Sequence, residues 1–407
     1  MRAALFLTVL LASAFAGAQA PQSAPPAAKK PGVNGPAKAP ARAPVQSTSP
    51  RFDRLVADAT AARKAEKWEE AIALYAKAVK LNPKYVEGYW YQGTAFYTLQ
   101  KFTECRDRFS DVVRLAPQNG AAFAFLGLCE YGLKDYAASL PHLLRSRTLG
   151  VGDTGDLGNV ARYHAAAIMI RIGEFEQALQ ALGEFANDGD DSPPVIEAMG
   201  IAALRIPIFP EELPPNRREM VLMAGRASYQ MATRNTTSAG KSFQALVLRY
   251  PETPNVHYAN GVYLLSEEPD KAIDEFKKEL ELQPGHPQSL MQIAFEYLNR
   301  GDAQTALPWA KQAVDAAPED FAARKALGQA LLDSGDVDGA IAELKHGVTL
   351  APESPSLHFQ LARAYQKAGR LEEANKEREE FTRLDRLART TRTGPQSVGG
   401  VGRGGRR

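Results

Sequence analysis

Cysteine is scarce in this chain: Cys105 and Cys129 are the two in 407 residues. No Cys-x-x-Cys pair exists, which removes the usual metal and haem-attachment patterns. A dominant sign of charge is lacking as well. Charged residues make up 24% and the formal net charge is +2, so composition gives no argument for nucleic acid or an anionic membrane surface as partner. Histidine is thin: His142, His164, His257, His286, His346 and His358. No two of them stand four apart around a glutamate, so the helical zinc-hydrolase pattern is missing. Serine and cysteine nucleophile motifs are missing too. Beyond the first residues no stretch approaches 18 consecutive apolar positions, so no transmembrane segment is expected in the mature chain.

The ends differ from the middle. MRAALFLTVLLASAFAGAQA offers a positive start at Arg2, an apolar run from Ala3 to Phe15 too short to span a bilayer, and small residues at Ala16, Ala18 and Ala20. It predicts a secretory signal peptide over 1–18, cut after Ala18, and an exported, periplasmic or extracellular protein of a bacterium. Residues 19–50 carry eight prolines and many alanines. They predict a disordered, extended linker. Residues 390–407, rich in Gly and Arg, predict a solvated, disordered tail. Export bears on the cysteines, since an oxidising compartment permits a Cys105–Cys129 bridge. The competing expectation is two buried thiols, because neighbouring helices often hold cysteine side chains too far apart.

The middle repeats. Pro83 and Pro117 are 34 residues apart, as are Pro284, Pro318 and Pro352, Gly301, Gly335 and Gly369, and Ala306, Ala340 and Ala374. A fixed period of this length signals stacked units. Within one period, Tyr89, Gly93 and Phe96 recur at helical spacing. A break near Gln100-Lys101 follows, and then Cys105, Phe109, Val112 and Val113 recur likewise before Pro117. Neither helix buries its apolar face alone, so units must stack.

The run WEEAIALYAKAVKLNP at 68–83, the Tyr89-Gly93-Phe96 trio and the Gly301 to Pro318 pattern together resemble the tetratricopeptide repeat family. The resemblance covers about 51–389 and implies an all-α, right-handed superhelical solenoid of about nine helix-turn-helix units. They start near 52, 86, 120, 159, 220, 254, 287, 321 and 355. The period fails at 187–219, where PVIEAMGIAALR reads as a first helix and the prolines at 207, 210, 214 and 215 forbid a regular second one. The expected division is a first block at 51–205, an irregular Pro-rich elbow at 206–219 lying exposed, and a second block at 220–389 with a charged capping helix.

One stretch competes with this reading. Gly240-Lys241-Ser242 has the tail of a phosphate-binding loop, but Asn235 stands where that loop needs glycine. The residues before it have helical rather than strand spacing. The expectation is the start of a repeat's second helix, and no cofactor.

The resemblance implies a concave groove lined by first helices. Carried across unit by unit, its positions fall on Arg63, Lys64, Trp90, Tyr97, Tyr131, Tyr163, Tyr258, Phe295 and Phe359. Aromatic anchors of this kind contribute about 2 kcal/mol or more each when they are hot spots. The asparagines of the carboxylate-gripping relatives are absent, so an apolar or amphipathic protein or peptide partner is expected. With signal, linker, repeats and tail assigned, no block remains for a catalytic domain, and no enzyme is expected. The expectation is an exported binding scaffold or envelope assembly factor. A cell-wall or carbohydrate binder is the first alternative. An enzyme using Glu211, Glu212, Arg217 and Arg218 at the elbow is the second.

Overall fold

A computed structural model of the chain describes residues 49–392, with side-chain burial through 387. The expected signal peptide lies outside the described residues. So do the linker and tail, apart from 49–50 and 390–392. Pro50, expected as the last linker residue, instead opens the first helix, capped by the Ser49 side chain.

Among the described residues the fold is all helix. Four hairpins come first: α1 (Pro50–Lys64) with α2 (Trp68–Leu81), α3 (Val86–Thr98) with α4 (Phe102–Leu115), α5 (Gly120–Gly132) with α6 (Tyr136–Leu149), and α7 (Leu157–Arg171) with α8 (Phe175–Asn187). A lone helix follows, α9 (Pro193–Ala203), and then two 3-10 turns at Pro210–Glu212 and Pro215–Arg217. Five hairpins complete the stack. They are α10 (Arg218–Ala232) with α11 (Thr236–Arg249), α12 (Val256–Glu267) with α13 (Pro269–Leu282), and α14 (Pro287–Asn299) with α15 (Ala303–Ala316). The last two are α16 (Phe321–Ser334) with α17 (Val337–Leu350), and α18 (Pro355–Lys367) with α19 (Leu371–Arg392).

Local chemistry sets the boundaries. Side chains of Asn119, Asp135, Asn235, Asp302 and Asp336 accept from backbone N–H groups at helix starts, satisfying donors that the helix cannot pair internally. Prolines open α9, α13, α14 and α18, where a missing N–H costs nothing. Between first and second helices the chain passes through a left-handed residue at Glu66, Gln100, Lys134, Gly173, Arg234, Gly301, Gly335 and Gly369. Gly240, Lys241 and Ser242 lie inside α11, whose cap is Asn235, so they form no loop.

Hairpins are held by small residues on first helices that receive a large side chain from their own second helix. Gly93 lies against Phe109, Gly127 against Leu143, Gly261 against Phe276 and Gly328 against Leu344. A polar brace recurs on top of this. His257 sits between the Pro251 carbonyl oxygen at 3.0 Å and Glu275 at 2.7 Å. His358 sits between Pro352, at 2.9 Å, and Glu377. Arg324 donates to Pro318, at 2.9 Å, and to Glu343. Each brace ties the preceding turn to the following second helix. First helices of successive units also touch one another, α3 on α5, α5 on α7, α7 on α9, α14 on α16 and α16 on α18. This places them on the inner side of the stack.

Cys105 on α4 and Cys129 on α5 are bonded, with Cα atoms 5.9 Å apart, inside the normal disulfide span. Of the two alternatives the sequence left, the structure contains the bridge. The apolar core also runs unbroken past the elbow. Met169 and Leu182 share one cluster with Met199, Val221 and Phe243.

Candidate functional site

The inner wall is not uniform. At its amino-terminal end Arg63 lies over the Tyr91 ring at 4.3 Å, and Lys64 is exposed. Trp90 is buried, with 5% exposure. Its indole meets the rings of Phe109 and Phe125 edge-on at 5.4 and 5.6 Å. Those two phenyl rings stack at 4.9 Å. Trp90 is therefore a core ring here rather than an open groove anchor; the space it would face is filled by α5. Tyr97 is half-buried against Phe102 and Phe125, and burial raises its pKa.

Tyr131 and Tyr163 come together around a feature that the sequence reading placed in solvent. After α9 the chain passes through Arg205 in the left-handed region, at φ 53°, and runs as Ile206-Pro207-Ile208-Phe209. Arg171 at the end of α7 donates to the Pro207 carbonyl oxygen at 2.8 Å. Phe209 then enters the wall and is only 4% exposed. Its ring lies 4.7 Å from Tyr136 and 5.9 Å from Tyr131. The Glu211 charge lies near enough to Tyr131 to raise the pKa of its phenol. The Phe209 N–H donates to the Glu212 carboxylate at 2.9 Å, which closes the following turn. The elbow is thus not a loose Pro-rich loop. Its apolar residues are seated and its acids face outward.

Electrostatics follow from that arrangement. Burial, then the Glu211 charge, pushes the Tyr131 phenol far above its ordinary range. Burial does the same to Tyr163, helped by Glu211 and Glu197. Beneath them His164 packs 4.3 Å from the Tyr131 ring. Burial lowers its pKa to about 4, and its Nδ1 has no hydrogen-bond partner. The imidazole is neutral at pH 7 in consequence. These groups offer rings and neutral hydroxyls, which suits recognition.

Further along, Tyr258 is buried against Phe276 and His286. Burial pushes its phenol up to about 12, with Arg205 opposing. Phe295 lies under Lys325 at 5.0 Å, and burial lowers the pKa of that lysine. Phe359 is 45% exposed and touches Phe381. Among the described residues no group of three or more His, Cys, Asp or Glu could hold a metal ion, and no helix is long and apolar enough to cross a membrane. Of the acids of the alternative elbow site, Glu212 accepts the Phe209 N–H, and Glu211 is exposed.

A stack of helical hairpins with a ring-lined inner wall defines a protein-interaction scaffold of the helical-repeat class. Family models described as Tetratricopeptide repeat match residues 297–353, 331–377 and 92–150, and one described as TPR repeat matches 61–100. The chain is a tetratricopeptide repeat protein. Solved structures similar to part of this chain include MamA 41-end from Desulfovibrio magneticus RS-1, at 21% identity and TM-score 0.38, covering 42% of this chain and 96% of that one. Another is YrrB, titled a TPR protein with an unusual peptide-binding site, at 15% identity and TM-score 0.35, covering 43% of this chain and 92% of that one. No curated protein matches the chain.

Proposed function

We propose that the protein is an exported, non-catalytic scaffold of a bacterial envelope that binds a protein partner through an extended segment laid on its inner wall. The observation that carries this reading is the seat of Phe209. Ile206, Ile208 and Phe209 already sit against the wall while Pro207 and Glu211 are exposed, as in a short proline-containing peptide laid on it. An aromatic ring is sunk beside Tyr136, and the Glu211 charge lies near Tyr131. A wall that holds one such segment in cis has the chemistry to hold another in trans, once the cis segment is displaced. Extended Pro-containing peptides lose little chain entropy on docking to aromatic surfaces, which favours this mode. The bridged cysteines fit an oxidising compartment, and the amino-terminal run supplies the export reading.

A labelled peptide copying residues 204–214 tests the wall directly. It should bind the Phe209→Ala variant in fluorescence anisotropy, bind wild type far more weakly, and lose binding again when Tyr131→Ala is added. No binding to the Phe209→Ala chain, with helix content intact, sinks the wall reading. Amino-terminal sequencing of the protein from the envelope fraction tests export separately, with Gly17-Ala18 followed by cleavage as the expected result.

A further inference from the structure

Beside the α9–α10 crossing the stack leaves a cavity of about 290 Å³. It exists because α9 has no second helix: the ends of α9 and α10, the starts of α8 and α12 and Phe243 of α11 border a half-open space that no side chain fills. Its walls are apolar, with Leu179, Met199, Ala202, Met231 and Val262 among them. At roughly 30 Å³ for each water-sized group, it holds about ten non-hydrogen atoms, near the lower end of ligand-pocket sizes.

One cation stands at this cavity. Arg205 is held by the left-handed turn that ends α9. Its guanidinium lies between the rings of Phe175 and Tyr258, at 4.8 and 5.4 Å. Its carboxylate partner is Glu176, whose own side chain is 65% exposed while that of Arg205 is 12% exposed. The cation is therefore fixed by packing, and its counter-ion is free to swing into solvent. A planar guanidinium pinned on two rings suits an incoming carboxylate better than a flexible ammonium would.

We propose that this cavity is a binding site for a medium-chain carboxylate, a fatty acid of about eight carbons. Its alkyl chain fills the apolar space, and its carboxylate replaces Glu176 on Arg205. The site is independent of the inner-wall seat of Phe209 and does not rest on the partner reading above.

Isothermal titration of the full chain with octanoate, octanol and acetate tests it. Octanoate should bind at one site per chain, octanol more weakly, and acetate not at all. Arg205→Gln should weaken octanoate tenfold or more and leave octanol unchanged, and Arg205→Lys should restore part of the loss. Glu176→Gln should tighten octanoate several-fold, a gain that misfolding does not produce. Ser228→Phe, placed in the cavity wall, should abolish binding of both chains with the melting curve checked alongside. No octanoate binding, or octanoate affinity unmoved by both Glu176→Gln and Arg205→Gln, overturns the proposal.

Discussion

The regular hairpins and the α9–α10 crossing use the same sequence position in opposite ways. In the hairpins a small residue in mid first helix is a socket for a side chain from the partner helix, as Gly93 is for Phe109. At the crossing, two first helices meet through that position. A Cβ on Gly200 would collide with the Val221 carbonyl oxygen, and one on Gly225 with that of Ile196. Each glycine there faces backbone rather than side chain, so α10 stands against α9 where a second helix would ordinarily be. A period can thus lose a helix without losing its core, provided both first helices bring a glycine to the contact. The cost is the displaced segment 206–217, whose Phe209 has to be stowed on the inner wall while residues 214–217 stay exposed.

Stowing is where the largest effect is expected. Phe209→Ala removes a buried ring from beside Tyr131 and Tyr136, and should cost about 3 to 5 kcal/mol, read from the urea midpoint. A loss under about 1 kcal/mol would mean that the segment is a surface strap and that the wall does not hold it.

The crossing itself predicts a contrast between two glycines. Gly200→Val forces side chain against carbonyl, and backbone has no rotamer to yield. The expected loss is about 3 kcal/mol, the upper part of the overpacking range. Gly328→Ala meets the Leu344 side chain at its Cγ branch rather than backbone, and should lose about 1 kcal/mol by the same reasoning. Equal losses at the two sites would erase the distinction drawn between the regions.

The braced units predict a pH dependence that the crossing lacks. Both ring nitrogens of His257 face acceptors, so the hydrogen bond to Glu275 raises its pKa against the effect of burial. That contribution is complete below the unfolded histidine value of about 6.5 and is lost as pH rises through the raised one. Burial alone would raise Glu275, but hydrogen bonds from His257, Lys278 and Asn260 prevail and hold it at about 2. Its contribution is present above the unfolded carboxyl value, about 4.3, and is lost as pH falls from there toward 2. In urea titrations from pH 2.5 to 8.5, Glu275→Gln should flatten both flanks relative to wild type. An unchanged profile would show the brace to be neutral.

The sequence made the helices, the nine hairpin starts and the failure of the second helix after Ala203 legible, because a 34-residue step fixes residue types at set places. The brace was also written there, as a basic residue six beyond each of Pro251, Pro318 and Pro352, but a salt bridge between helices leaves no periodic apolar signal. Trp90 misled because a wall position and a core position coincide when the neighbouring first helix packs this closely. Phe209 was hidden by its prolines. They do exclude a helix, yet Ile206, Ile208 and Phe209 among them were apolar enough to argue against solvent. The crossing was visible only as Gly200 and Gly225, which look like any other hairpin glycine until the partner of each is known.

The smallest effects concern the turns, and they separate the regions once more. Gln100 and Lys134 hold φ values of 56° and 61°, in the left-handed region that costs an L residue about 1 kcal/mol or more. Glycine already stands at the corresponding turns at 301, 335 and 369. Gln100→Gly and Lys134→Gly should therefore each stabilise the chain by about 0.5 to 1 kcal/mol, the relief of strain being partly offset by a freer unfolded state. Arg205 has the same backbone, at φ 53°, but a different occupation. Its guanidinium pairs with Glu176 and lies on Phe175 and Tyr258. Arg205→Gly relieves the same strain while removing those contacts, so thermal melts should show no gain and a modest loss. If all three substitutions stabilise alike, Arg205 is an ordinary turn residue, and the strain at the crossing serves nothing that its side chain does.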